Sequence, residues 1–274
     1  MKLLVAGGDR VDAGKTTFAA GLVAYLRRER DATPRAFKPR AGNDYWFDHD
    51  DVLAAVADGR LYGKDARTLA AAESAARSPE ALNPLHRLWR PTPGQSGLLG
   101  EPDRTFLVDR LTTADGDAFV VNAEADVPAV VRESLPLSGA TRVDSVEGFN
   151  DLMAERYLPA FERLTGTVQS SATAVVESYG DIASPLSGVD YDAVAVVDPG
   201  RARIYEGPRW LRACEVARGS PREGQLEERV GPVVEMLDPV ARVSLRALSN
   251  EARTDPETIA DAYARAYEEL VQAV

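Results

Sequence analysis

The run Gly7-Gly8-Asp9-Arg10-Val11-Asp12-Ala13-Gly14-Lys15-Thr16-Thr17 lies between a short apolar segment and a helical pattern, and its residue types suit phosphate binding. Successive backbone N–H groups, with the N-terminus of the following helix, present partial positive charge to phosphate oxygens. Gly14 lets the backbone approach closely, Lys15 neutralises β and γ phosphates, and the Thr16 hydroxyl is a ligand type for Mg²⁺. The cradle expected for a nucleotide is therefore Gly8, Asp12, Ala13, Gly14, Lys15, Thr16 and Thr17. Asp9 and Asp12 would repel a polyphosphate, so they are expected to face Mg²⁺, substrate or Arg10.

Such a loop needs a strand before it and a helix after it. Lys2–Ala6 is a short apolar run, and Phe18, Leu22, Tyr25 and Leu26 recur at the spacing of one helix face. A second strand fits Arg35–Phe37, which would complete a βαβ unit with a parallel pair. Alanine-rich residues 51–77 predict one or two helices, and residues 83–100, with several prolines and glycines, read as a long loop. Residues 105–111 and 118–123 form β-rich runs around Asp115-Gly116-Asp117, a hairpin signal. Phe149, Leu152, Met153, Tyr157 and Phe161 mark a further helix. Residues 173–176 and 193–197 are continuous apolar runs, the pattern of strands buried on both faces. Asp255-Pro256 caps a last helix with the stripe Ile259, Tyr263, Tyr267 and Leu270. The whole predicts one α/β domain over residues 1–274, doubly wound around a mostly parallel sheet with flanking helices. A hairpin-plus-helix insertion is expected at about residues 90–165.

Composition bounds the function classes. The 274 residues carry 43 acidic and 32 basic side chains, a net charge of −11, and only four of the basic ones are lysines: Lys2, Lys15, Lys38 and Lys64. This balance fits a salt-adapted, halophilic cytoplasm, and equally a GC-rich codon usage. A broad nucleic-acid face is not expected, because it would need clustered basic residues. No apolar run reaches the length of a membrane span, and the N-terminal run is too short for a signal-peptide core. The single cysteine, Cys214, precludes an intrachain disulfide and suits a reducing compartment, so a cytoplasmic location is expected.

The loop is one residue longer than the standard Walker spacing, since Gly8 lies six positions before Gly14. In this it resembles dethiobiotin synthetase and its relatives in the MinD-like group of P-loop ATPases. The likeness continues in order through Phe37-Lys38-Pro39-Arg40-Ala41-Gly42, Asp50-Asp51-Val52-Leu53, Leu82-Asn83-Pro84, Val175-Val176-Glu177-Ser178-Tyr179-Gly180 and Ser184-Pro185-Leu186. The resemblance implies a P-loop NTPase fold, with ATP and Mg²⁺ as cofactors. It implies that Thr16, Asp51 and Glu177 form the metal shell, and that Lys38 stabilises the transferred phosphoryl group beside a carbamate. Glu177 also stands at the carboxyl end of an apolar strand, where ligands bind in such sheets; an ordinary strand-end carboxylate is the alternative. For Asp51 the alternative is a solvated helix start. Arg10 stands five residues before Lys15, where MinD-like ATPases place a second lysine, and it could instead pair with Asp9 or Asp12.

Asp9-Arg10-Val11 replaces the family's Thr-Asp-Thr, the serine of the Lys-Pro segment is missing, and no Val-x-Asn-Arg follows residues 193–197. These departures imply the same phosphoryl chemistry on a different acceptor. The expected activity is ATP-dependent transfer of the γ-phosphoryl group to a carboxylate or carbamate, of ligase or cyclo-ligase type, with a small-molecule carboxylate or amine as partner and a homodimer as the assembly. The rival expectation is a nucleotide-switched, partner-binding ATPase with no small-molecule acceptor.

Overall fold

A computed structural model describes residues 1–8, 13–30, 32–75, 77–217 and 228–274. The chain opens with strand β1 (Lys2–Gly7), helix α1 (Lys15–Arg30), β2 (Arg35–Phe37), β3 (Arg40–Asp44), α2 (His49–Ala57), α3 (Lys64–Ala72) and the short α4 (Pro79–Leu82). Its middle holds β4 (Leu85–Ser96), β5 (Pro102–Thr113), β6 (Gly116–Asn122), α5 (Ala129–Ser134) and β7 (Thr141–Val143). Next comes α6 (Val146–Leu152), which passes through a π-helical turn (Met153–Tyr157) into α7 (Leu158–Ser170). The last part is β8 (Ala174–Glu177), β9 (Ala193–Asp198), β10 (Arg201–Glu206), α8 (Gly207–Ala217), α9 (Val230–Glu235), β11 (Ala241–Ser244) and α10 (Pro256–Gln272).

These elements form two compact units. One comprises Met1–Pro39, Thr68–Arg77 and Thr165–Val274; the other comprises Arg40–Arg67 and Ser78–Leu164. Each has its own sheet, and each sheet mixes parallel and antiparallel pairs.

In the first unit the strand order is β11-β10-β9-β1-β8-β2. Strands β2, β8, β1 and β9 run parallel, while β10 and β11 are antiparallel additions at one edge. Leu3–Ala6, Ala174–Val176 and Ala193–Val197 are buried throughout, as their continuous apolar runs require of strands covered on both faces. The sequence pattern pairs β1 with β2, but β8 lies between them. Three-residue β2, opening on half-buried Arg35, is fit only for an edge, whereas apolar β8 needs neighbours on both sides. Helix α1 buries Phe18, Leu22, Tyr25 and Leu26 and lies against α10. Gly21 makes that approach possible, because a Cβ there would lie 2.4 Å from Ile259 Cγ2 and 2.5 Å from the Tyr267 hydroxyl oxygen. The Tyr267 hydroxyl donates to the Phe18 carbonyl at 2.9 Å, and the Asp255 carboxylate caps α10 by accepting from the Glu257 and Thr258 amides.

The second unit has the order β3-β4-β5-β6-β7. Strands β5 and β6 form the expected antiparallel hairpin, with Gly116 at φ 117° in the turn. Residues 83–100, read from sequence as a loop, instead contain β4. Leu85, His86 and Leu88 are buried there, and Pro91 and Pro93 fall at or beyond register shifts, where the ladder tolerates a missing donor. The core gathers Val52 and Val56 of α2 with Leu88, Leu107, Val108, Phe119, Val121 and Val131. The added region therefore differs from the insertion expected at 90–165. It begins at Arg40, takes in α2, and carries a sheet of its own. Among the described residues no helix is long and apolar enough to cross a membrane.

Candidate functional site

Strands β1 and β8 run side by side, with Val5 in register with Glu177 and the Ser178 amide donating to the Val5 carbonyl at 2.9 Å. That register puts Glu177 at the carboxyl edge of the sheet, beside the start of the loop that leaves β1. Gly14 has φ 82°, a left-handed conformation that favours glycine, and a Cβ built on it meets no described atom within 4 Å. The Gly14 carbonyl accepts from the Phe18 amide at 3.0 Å, which begins α1. Lys15 and Thr16 consequently stand on the first turn of a buried helix, with their side chains turned toward β8.

Three side chains converge on Glu177 and the turn behind it. The Thr16 hydroxyl donates to Glu177 Oε1 at 2.8 Å. Lys38, one residue past β2, forms an ion pair with the same oxygen, and its Nζ also donates to the Ser178 carbonyl at 3.3 Å. Both members of the pair are inaccessible, with side-chain exposures of 4% and 1%. Lys15 Nζ donates to the Gly180 carbonyl at 2.8 Å. Burying two opposite charges is costly unless they are paired and hydrogen-bonded, so this arrangement needs a compensating reason to exist. A lone carboxylate there would be far worse. Lys38 and Thr16 fix the orientation of Glu177.

Oxygen donors of the kind Mg²⁺ takes are present in Thr16 Oγ1 and Glu177. Mg²⁺ usually binds through one or two carboxylates plus waters and phosphates, so a small protein donor set is sufficient. No cluster of three or more His, Cys, Asp or Glu side chains suited to a metal occurs among the described residues. Asp51 belongs to the second unit, in the first turn of α2, where Arg67 Nη2 donates to it at 3.2 Å. A carboxylate in a helix's first turn also suits the helix dipole. Arg10 and Asp12 lie outside the described residues. Of the other residues expected in the cradle, Ala13 is buried, and Gly8 and Thr17 are half-buried.

Several roles at the site were not anticipated from the sequence. Gly180, at φ 51°, turns its carbonyl onto Lys15, and the Ser178 hydroxyl donates to the Ile182 carbonyl at 2.6 Å to hold that turn. Asp198, at the end of β9, crowds Gly8: a Cβ there would lie 1.8 Å from Asp198 Oδ1 and 3.1 Å from Arg203 Nη2. The Asp198 carboxylate is itself held by Arg203 at 3.1 Å and Arg201 at 2.9 Å. Asp198-Pro199-Gly200 is a turn signal that marks where β9 ends, but nothing in it reveals the contact with Gly8. Trp210, Cys214 and His86 are buried, whereas Trp46 is exposed.

No protein-family model matches the chain, and no curated protein matches it in sequence.

Proposed function

We propose that the chain binds Mg-ATP at the loop between β1 and α1 and transfers the γ-phosphoryl group to a carboxylate or carbamate. The observation that carries this reading is the meeting of Thr16 and Lys38 on one buried Glu177 oxygen, next to the loop strand. A hydroxyl from the Gly-Lys-Thr turn beside a strand-end carboxylate is the donor pair a phosphate-bound Mg²⁺ requires. When bound, Mg²⁺ would be held by Thr16 and Glu177 and would supply charge neutralisation to the phosphates.

The chain's own groups supply the rest. Gly14 and the amides at the start of α1 receive phosphate oxygens, with Lys15, whose Nζ donates to the Gly180 carbonyl, beside them. Lys38 is a fixed cation, because Glu177 and the Ser178 carbonyl prevent it from reorienting. A preorganised charge of this kind stabilises the transition state more than the ground state. In the reaction an acceptor oxygen bonds to the γ-phosphorus as the bond to the β–γ bridging oxygen breaks, releasing ADP. An amine then attacks the acyl carbon of the mixed anhydride, and phosphate departs as the amine loses its proton.

ADP formation with Mg-ATP and a panel of carboxylates, amines and bicarbonate tests the reading. It should require an acceptor, and Lys38→Met should lower kcat at least about 100-fold with nucleotide affinity retained. Slow hydrolysis that needs no acceptor and survives Lys38→Met would instead favour the nucleotide-switched ATPase.

A further inference from the structure

Strand β10 turns Arg201, Arg203 and Tyr205 to one face of its sheet and the fully buried Ala202 and Ile204 to the other. Strand β11 adds a third arginine to the first face, because Arg242 lies directly opposite Arg203 in the antiparallel register. These side chains, with residues 234–239 at the end of α9, wall a hollow of about 360 Å³. Like charges facing each other across a ladder destabilise it, so Arg203 and Arg242 call for an anion beside them. The carboxylates at hand fall short. Asp198 is shared: Arg201 Nε donates to it at 2.9 Å, and Arg203 Nη2 lies 3.1 Å away. The wall's own carboxylates, Glu235 and Asp238, are exposed, so solvent screens them; Asp238 stands 3.8 Å from Arg242 Nη2. Arg203 Nε is buried with no hydrogen-bond partner among the described residues, which leaves a guanidinium donor unused. Buried Tyr205 lies within reach of both facing arginines: burial raises its pKa, and Arg203 and Arg242 oppose that rise.

We propose that this hollow binds a small dianion through its carboxylate or phosphate oxygens. With Asp198 compensating one guanidinium and the exposed carboxylates screened, a dianion balances the remaining charge. Guanidinium forks match carboxylate and phosphate oxygens two at a time, and the Tyr205 phenol adds a neutral donor. The volume falls at the lower end of ligand pockets, roughly 300–1,000 Å³, and so suits a small molecule. A nucleic-acid backbone is a poor occupant for a chain of net charge −11. The ligand is also separate from the phosphoryl acceptor expected beside Lys38. Four strand spacings divide β10 from β2, which leads into Lys38, a gap of roughly 19 Å at about 4.8 Å per strand. Dianion binding therefore stands whether or not the loop between β1 and α1 holds a nucleotide.

Isothermal titration of succinate, and separately of inorganic phosphate, into the nucleotide-free full chain at one chloride concentration tests the proposal. Saturable binding of at least one probe, at one hollow per chain, is expected, and the probe that binds tells a carboxylate ligand from a phosphate one. Phosphate can also enter the loop between β1 and α1, so it is titrated into Lys15→Ala as well; binding that survives there belongs to the hollow. Arg242→Gln changes a largely exposed side chain, so the thermal transition should hold while affinity falls at least about 10-fold, as loss of a charge-assisted contact requires. Arg203→Lys keeps a charge beside Asp198 but loses the planar fork, and should weaken binding similarly. Arg209→Gln, at an exposed arginine of α8 outside the hollow, should leave affinity unchanged. The proposal is overturned if neither probe binds saturably in the millimolar range, or if affinity is unchanged in Arg242→Gln or in Arg203→Lys.

Discussion

His86 has no exposed surface, and neither ring nitrogen has a hydrogen-bond partner among the described residues. Burial, reinforced by the Arg110 guanidinium and opposed by Asp65, holds its pKa down at about 3 against an ordinary 6.5. The neutral imidazole therefore belongs to the folded state, while the unfolded chain takes up a proton as soon as the pH falls below 6.5. Stability contributed in this way is fully present above 6.5, declines as the pH drops, and is exhausted near 3. The gap between those values, at about 1.36 kcal/mol per pH unit, corresponds to about 5 kcal/mol at the acid end. Between about pH 7 and about pH 5 the loss is roughly 2 kcal/mol. Denaturant unfolding at constant high salt, compared between wild type and His86→Leu, isolates this contribution from the many carboxylates. Leucine fills similar space, gives up no hydrogen bond, and cannot titrate, so the variant should lose the difference in slope. Superimposable pH profiles of the two proteins would refute the reasoning.

Other perturbations act at single contacts. Asp109 is fully buried, accepts from Arg87 Nε at 2.7 Å and Nη2 at 2.6 Å, and accepts from the Tyr157 hydroxyl at 2.7 Å. Asp109→Ala should therefore cost about 3–5 kcal/mol in chemical denaturation by leaving the guanidinium uncompensated, and Tyr157→Phe only about 1–2 kcal/mol. At the loop entrance, Gly8→Ala should weaken nucleotide binding because its Cβ would overlap the Asp198 carboxylate. A Gly8→Ala, Asp198→Gly double variant should recover much of that affinity; no recovery would mean that the contact does not shape the loop.

What could be read in the sequence was local. The apolar run before Gly7, the Gly-Lys-Thr turn and the helical spacing after Thr17 each specify their own conformation, and they stand as β1, the turn and α1. The same holds for β8, whose continuous apolar residues demanded burial on both faces and so placed Glu177 at a strand end. Partners distant in sequence were harder. Nothing in Arg35–Phe37 reveals that β8 separates it from β1, since that depends on which strand most needs two neighbours. The prolines of β4 conceal a strand because register shifts remove the penalty they would otherwise impose. Asp51 illustrates the reverse difficulty: an acidic residue near a helix start looks the same whether it serves a metal or the helix, and its partner here is Arg67. Gly180 stood in a segment noted for its resemblance, but its role was hidden because its contribution is a carbonyl, a group every residue possesses.

The central claim is that Lys15 and the surrounding loop hold the phosphates of a nucleotide. Isothermal titration of Mg-ATP into the wild type and Lys15→Ala, in concentrated salt, tests it most directly. The account predicts saturable one-site binding to the wild type, weakened at least about 100-fold in the variant, as the loss of a charge-assisted phosphate contact requires. Equal affinity in the two proteins, or no binding to either, would contradict it.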